Sequence, residues 1–332
     1  MQRQKILITG GTGYIGSHIC ITLISKYDLL VVDNLSNSEA SIIEKIKNIS
    51  GRDEITFYAV DLRDKTNLDA IFQQHMPYAV IHCAGLKSVR KSITDALIYY
   101  QNNVSCTISL LEVMDKYGCN KLIFSSSGTV YGKSMSPLSE ESSVGMGITN
   151  PYGKTKFMTE QILEDVSASN KKWHIISLRY FNPIGAHHSG LISESLDAPN
   201  NLMPMILKTL IDDGTLRIYG DDYDTDDGYC VRDFIHVMDL AEGHMCALEK
   251  INILQGWNAY NLGYGKGVSV MELIRTFMAS NDVKIKYDIA DRRGGDVAVS
   301  YCDASKAKRD LNWETRMSLE TMCRDSYRSL QR

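Results

Sequence analysis

Lys5-Ile6-Leu7-Ile8-Thr9-Gly10-Gly11-Thr12-Gly13-Tyr14-Ile15-Gly16 is the stretch that decides the fold. Its first residues form a short apolar run, the pattern of a buried strand. A glycine-rich turn follows, then an apolar helical segment from Ile19 to Ile24. A second apolar run, Leu29-Leu30-Val31-Val32, stops at Asp33. The glycines allow a tight turn and let a pyrophosphate approach the helix N-terminus. Gly10, Gly13 and Gly16 are therefore candidate dinucleotide contacts. Asp33 lies seventeen residues past Gly16. At a strand end its carboxylate accepts from ribose hydroxyls and repels a 2′-phosphate, which favours NAD over NADP. The plain alternative is a glycine turn in some other α/β protein; the strand, helix and acid around the turn weigh against it.

The alternation continues outward. Ile55 to Val60 reads as a third strand capped by Asp61-Leu62, a pair that faces an adenine or, equally, caps a helix. Ala79 to His82 is a fourth strand, opening into Cys83-Ala84-Gly85-Leu86-Lys87, whose small residues let a cofactor lie across the strand ends. Asp95 to Asp115 reads as one long helix carrying Asn102 and Asn103. Leu122 to Phe124 is a fifth strand running into Ser125-Ser126-Ser127-Gly128-Thr129, and Ile175 to Leu178 a sixth. This order predicts an α/β fold with a doubly wound parallel sheet. The glycine turn, Asp33, Ala84-Gly85, Ser127 and Phe181 all fall at C-terminal strand ends, where such sheets bind ligands.

Thr149-Asn150-Pro151-Tyr152-Gly153-Lys154-Thr155-Lys156 supplies the chemistry. Asn150 suits an N-cap and Pro151 the first helical position. Tyr152 and Lys156, four apart, then share a helix face. A nearby cation favours the phenolate and makes the tyrosine a base. Taken alone, the pair reads better as a surface tyrosine and lysine.

The chain has 332 residues, 44% of them hydrophobic, which is ample for a core, and a net charge of −4 that argues against nucleic acid. Its eight cysteines never stand at C-x-x-C spacing and several fall in apolar runs, the pattern of reduced thiols in a cytoplasmic protein. Neither a signal peptide nor an apolar run of membrane-spanning length is evident. No metal site is expected: His187-His188 lack ligand spacing, and the acidic run Asp221 to Asp227 lacks calcium-loop geometry.

Taken together, Thr9 to His18, Asp33-Asn34-Leu35-Ser36-Asn37-Ser38, Ala84-Gly85-Leu86-Lys87, Phe124 to Ser127, Thr129-Val130-Tyr131-Gly132 and Pro151-Tyr152-Gly153-Lys154 resemble the extended short-chain dehydrogenase/reductase family. So do Arg179-Tyr180-Phe181-Asn182-Pro183, Pro199-Asn200-Asn201-Leu202-Met203-Pro204, Val231 to Val237 and Tyr260-Asn261-Leu262-Gly263. Within that family the chain is similar to the UDP-glucose 4-epimerases over almost its whole length. The resemblance implies a Rossmann-type domain over 1–184, with later segments crossing back, and a smaller α/β lobe over 185–332 for the UDP-sugar. It implies a tightly held NAD touching Tyr14, Ile15, Asp33, Asn34, Asn37, Ser38, Asp61, Leu62, Ala84, Gly85, Lys87, Asn102, Lys156 and Phe181. Tyr152 takes the proton of the sugar 4-hydroxyl while Ser127, with Thr129 nearby, hydrogen-bonds the sugar. Lys156 holds the nicotinamide ribose and, with the positive charge of NAD, lowers the pKa of Tyr152. Asn182, Asn201, Leu202, Arg217, Tyr219, Arg232, Arg293 and Asp296 match positions that hold the UDP part; an arginine fork pairs with two diphosphate oxygens. A homodimer through the long helix and the catalytic helix is implied, with Leu97, Ile98, Leu110 and Leu111 compatible with that contact or with packing on the sheet.

The chain departs from the family pattern at Cys83, commonly Phe, at Arg90-Lys91, frequently Gly-Glu, and at Ser300, where members restricted to glucose and galactose tend to carry Tyr. A serine opens room for a 2-acetamido group, so UDP-N-acetylglucosamine and UDP-N-acetylgalactosamine are expected substrates. Three rival readings stand. An ordinary dehydrogenase would exchange NAD at each turnover, and cofactor retention through gel filtration separates it from an epimerase. A nucleotide-sugar 4,6-dehydratase needs acids directly after Ser127, where Gly128-Thr129-Val130 stand. A non-catalytic NAD-sensing regulator can dispense with the Tyr152/Lys156 pair, which is present.

Overall fold

The computed structural model describes residues 3–197, 199 and 201–331; Asn200 of the Pro199–Pro204 motif lies outside them. Seven strands form one parallel sheet: β1 (Lys5–Thr9), β2 (Asp28–Asp33), β3 (Ile55–Ala59), β4 (Ala79–His82), β5 (Lys121–Ser127), β6 (His174–Tyr180) and β7 (Gly256–Leu262). Their order is β7-β6-β5-β4-β1-β2-β3. All neighbours run parallel. Near-continuous Val, Ile and Leu runs suit a sheet covered on both faces. Alternation divides them: Ile6, Ile8 and Val31 enter one buried cluster, Leu7, Leu30 and Val32 the other. The order reverses between β1 and β4, and the crevice at that switch is where a ligand fits.

Helices α1 (Tyr14–Leu23), α2 (Ser41–Ser50) and α3 (Lys65–His75) join the first strands. The single helix expected over Asp95 to Asp115 is divided. It consists of α4 (Val89–Thr94), α5 (Ala96–Tyr99), a π-turn over Tyr100–Ser105, and α6 (Cys106–Lys116). Asp95 takes φ −121° and ψ 41°, outside the helical region, and separates α4 from α5. Leu110 and Leu111 pack inward, whereas Leu97 and Ile98 are 77% and 49% exposed.

After α7 (Pro151–Ser169) and β6 the chain builds the smaller elements. These include α8 (Leu202–Ile211), α9 (Val237–Lys250), α10 (Val270–Asn281), α11 (Ser305–Leu311) and α12 (Leu319–Arg328). α9 packs on α1, and β7 then completes the large sheet beside β6. Short ladders pair Asn182–Ile184 with Phe234–His236, Leu216–Tyr219 with Tyr287–Ala290, and Val231–Arg232 with both Val268–Ser269 and Val299–Ser300. Ile206, Phe234, Ile274 and Phe277 anchor a separate apolar cluster beneath these ladders. Among the described residues no helix is long and apolar enough to cross a membrane.

Candidate active site

One cavity of about 400 Å³ runs along the C-terminal strand ends and into the smaller elements. At its first end the glycine turn is bare backbone by necessity. A Cβ on Gly16 would lie 2.1 Å from the Gly10 carbonyl, and Gly10 itself holds φ +68°. Asp33 accepts from the backbone N–H groups of Thr12 at 3.2 Å and Leu35 at 2.9 Å, which fixes its carboxylate at the end of β2. Asn34 donates to Asp61 at 2.9 Å, joining the ends of β2 and β3. The Arg63 guanidinium beside Asp61 holds that carboxyl well below the usual range. Ser38 is set back from the cavity wall; its hydroxyl braces Thr12 at 2.7 Å and Asp33 at 3.3 Å. This bare-backbone cradle, its acid and the space above them fit a dinucleotide. Gly10, Gly13, Tyr14, Ile15, Gly16, Asp33, Asn34, Asn37, Asp61, Leu62, Ala84, Gly85, Lys87, Asn102, Lys156 and Phe181 all line the cavity.

At the middle of the cavity, α7 starts as expected: Asn150 accepts from the Gly153 N–H at 2.8 Å, with Pro151 in the first turn. The helix presents Tyr152 and Lys156 inward, 9% and 6% exposed. The Lys156 ammonium donates to the Ser125 carbonyl at 2.6 Å and lies 4.7 Å from the centre of the Phe124 ring. Burial lowers its pKa to about 8. The pKa of the Tyr152 phenol in the chain alone stands above its ordinary range. Burial raises it, and only partly does a hydrogen bond with Ser127 offset this. Lys156 is committed to Ser125 instead, 6.0 Å from the centre of the tyrosine ring. Thr129 lines the cavity, and its buried hydroxyl has no partner among the described residues.

At the far end, Asn182, Asn201, Leu202, Arg217, Tyr219, Arg232, Arg293 and Asp296 line the cavity. Asp296 stands between two cations, 2.9 Å from Arg293 and 3.8 Å from Arg232. Arg293 also covers the Tyr219 ring at 4.8 Å. Arg232 donates to the Val297 carbonyl at 2.8 Å, so it is not the solvated surface charge that an isolated arginine suggests. Ser300 pairs in register with Arg232 but does not itself reach the cavity lining; its hydroxymethyl is short.

Two contributors escaped the sequence reading. Tyr180 lines the cavity, paired in register with Ser127 across β5 and β6. Asn103 donates to the Leu86 carbonyl at 3.0 Å and to Thr155 Oγ1 at 3.0 Å, and accepts from the Leu86 N–H at 2.8 Å. It thereby ties the loop after β4 to α7. The signal was two adjacent asparagines in an apolar helix, which a π-turn places to different uses. The eight cysteines are unpaired. Cys83 stands in the cavity wall, and burial lifts its pKa to about 11. No cluster among the described residues is arranged to hold a metal.

Residues 6–263 match the model of the NAD dependent epimerase/dehydratase family. The chain belongs to that family. Its relatives include a UDP-glucose 4-epimerase of Bacillus subtilis, 49% identical over 98% of this chain and 96% of the relative. Among solved structures, a UDP-glucose-4-epimerase from Stenotrophomonas maltophila with bound NAD and formylated UDP-arabinopyranose superposes with a TM-score of 0.95. It is 42% identical and covers 99% of this chain and 98% of its own. The UDP-Glc/GlcNAc 4-epimerase of Campylobacter jejuni superposes with a TM-score of 0.86 at 36% identity, over 99% of each chain.

Proposed function

We infer that the protein is an NAD-dependent UDP-sugar 4-epimerase, an isomerase that interconverts UDP-glucose and UDP-galactose. The observation that carries this reading is the opening of a dinucleotide cradle and a buried Tyr152–Lys156 pair onto one cavity, with three arginines at its other end. NAD, when bound, supplies the acceptor and donor of the C4 hydride and a positive charge that favours the phenolate. The chain's residues do the rest. Tyr152 takes the proton of the 4-hydroxyl and returns it after the sugar has turned. Ser127 and Thr129 hold that hydroxyl in line. Lys156 holds the nicotinamide ribose. Arg217, Arg232 and Arg293 neutralise the diphosphate, and Asn182, Asn201, Leu202, Tyr219 and Asp296 complete the nucleotide end. Elimination chemistry is disfavoured, because Gly128-Thr129-Val130 follow Ser127 where that chemistry needs acids.

The reading extends to UDP-N-acetylglucosamine and UDP-N-acetylgalactosamine. Ser300, set back from the lining beside Arg232, supports it by leaving room at the sugar. The reading divides the chain into a nucleotide part, 1–184 with α9 and β7 returning to it, and a sugar-nucleotide part formed by the rest of 185–332. A second copy of the chain is the expected partner: Ile93, Leu97 and Ile98 stand exposed on α4 and α5, against α7. Eight unpaired cysteines support a reducing, cytoplasmic setting.

Tyr152→Phe tests the assignment. Turnover of UDP-galactose is expected to fall by at least about 10²-fold, with NAD content and melting temperature kept. Turnover within a few-fold of the unaltered enzyme would remove Tyr152 from the chemistry.

A further inference from the structure

Two contacts cross the roof of the cavity. The Tyr14 hydroxyl on α1 donates to the Gly185 carbonyl at 2.7 Å. Farther along the same segment, the Glu194 carboxylate pairs with Lys87 and accepts from Asn201 Nδ2 at 3.2 Å. Lys87 belongs to the loop after β4 and lies 5.6 Å from the centre of the Tyr14 ring; Asn201 directly precedes α8. One carboxylate therefore ties the nucleotide side of the cavity to its substrate side. Lys87, Tyr14 and Asn201 line the cavity, whereas Glu194 does not.

Glu194 is the sheltered end of this pair. The Glu194 side chain is 15% exposed against 49% for Lys87, while Lys26–Glu249 is open at both ends, at 52% and 44%. Parting Lys87 from Asn201 costs Glu194 at least one of these two partners. The start of its segment is fixed independently: the Gly185 N–H donates to Ser326 at 3.0 Å and Arg328 donates to the His188 carbonyl at 2.9 Å. The end near Glu194 is held from the cavity side.

We propose that Glu194 is a positioning residue whose bridge between Lys87 and Asn201 keeps the cavity closed, retaining the dinucleotide and the oxidised sugar between the two hydride transfers. This rests on the epimerase reading. C4 loses a hydride and its hydroxyl a proton, and both return only if the ketone stays beside the reduced dinucleotide. An escaped ketone leaves the enzyme loaded with reduced cofactor. Closure of this kind gates such steps.

The test compares Glu194→Gln, which keeps shape and removes charge, with Glu194→Asp, which keeps charge and shortens reach. Glu249→Gln is the control on a remote pair. Dinucleotide bound per chain is measured through repeated gel filtration, and absorbance near ~340 nm follows reduced cofactor during turnover of UDP-glucose. In Glu194→Gln, dinucleotide loss and build-up of the reduced form are expected to rise about three- to ten-fold, with Glu194→Asp between it and the unaltered enzyme. Glu249→Gln is expected to match the unaltered enzyme. Retention and build-up in folded Glu194→Gln within about two-fold of the unaltered enzyme would overturn the proposal. If the unaltered enzyme turns over no UDP-sugar, the epimerase reading falls, and the retention comparison still decides the latch.

Discussion

Lys156 is a cation kept where a cation is costly. It is 6% exposed, no carboxylate among the described residues is hydrogen-bonded to it, and its ammonium donates to the Ser125 carbonyl at 2.6 Å. Its pKa falls from 10.5 to about 8, so folding the chain without ligand works against its charge. The sign follows: below about pH 8 both states carry the proton and the full cost stands, and it fades as pH rises towards 10.5. Lys156→Met is therefore expected to stabilise the ligand-free protein at pH 7 by about 1–2 kcal/mol, after allowing for the lost hydrogen bond, while abolishing turnover. Thermal melting of cofactor-stripped protein checks this; a lower melting temperature contradicts it. The four-residue spacing of Tyr152 and Lys156 was legible in the sequence. Their burial, and the lysine's commitment to Ser125 rather than to the phenol, were not, because both depend on β5 passing under the helix.

At the scale of elements, the strands and the glycine turn were legible because short continuous apolar runs, alternating with helical segments around a glycine-rich turn, have few other readings. The helix expected over Asp95 to Asp115 was not. Its apolar spacing reads as one helix, and the break at Asp95 and the π-turn at Tyr100–Ser105 appear only in the folded chain. The irregular turn serves the site by bringing Asn103 onto both backbone groups of Leu86 and onto Thr155. Asn103→Leu keeps the volume and removes the partner of both Leu86 backbone groups. It is expected to cost about 2–4 kcal/mol and to raise KM more than it lowers kcat, since the loop carrying Gly85 and Lys87 loosens. Denaturant melting and steady-state kinetics check it. A variant as stable as the parent would show that the loop is held by other means. Ser300 is the converse: its position in the pattern was legible, but its seat in a two-residue strand beside Arg232 came only with the ladder partners, which lie far away in sequence.

Across the whole molecule, β7 and α9 return from the later half to finish the first sheet and pack on α1. No local pattern announces such a return. The closed sheet and its covering helices also seal a set of imidazoles inside. Burial lowers His18 and His82 to about 3 and His244 to about 4, from an ordinary 6.5. Below pH 6.5 the unfolded chain takes up protons that the folded chain refuses, so each histidine withdraws about 1.4 kcal/mol of stability per pH unit until its folded pKa is reached. Asp233, raised to about 6 by burial, acts in the opposite sense between 6 and 3.8 and offsets part of this loss. The melting temperature is expected to be level near pH 7–8 and to drop steeply below about pH 6; a flat profile down to pH 5 contradicts this account. The central claim concerns a cavity that holds NAD at one end and a UDP-sugar at the other. The most direct test is conversion of UDP-glucose and UDP-N-acetylglucosamine, side by side, with no NAD added. Turnover of both is predicted. Turnover of UDP-glucose alone would keep the mechanism and remove the argument from Ser300, and turnover of neither by folded protein that retains NAD would contradict the epimerase reading itself.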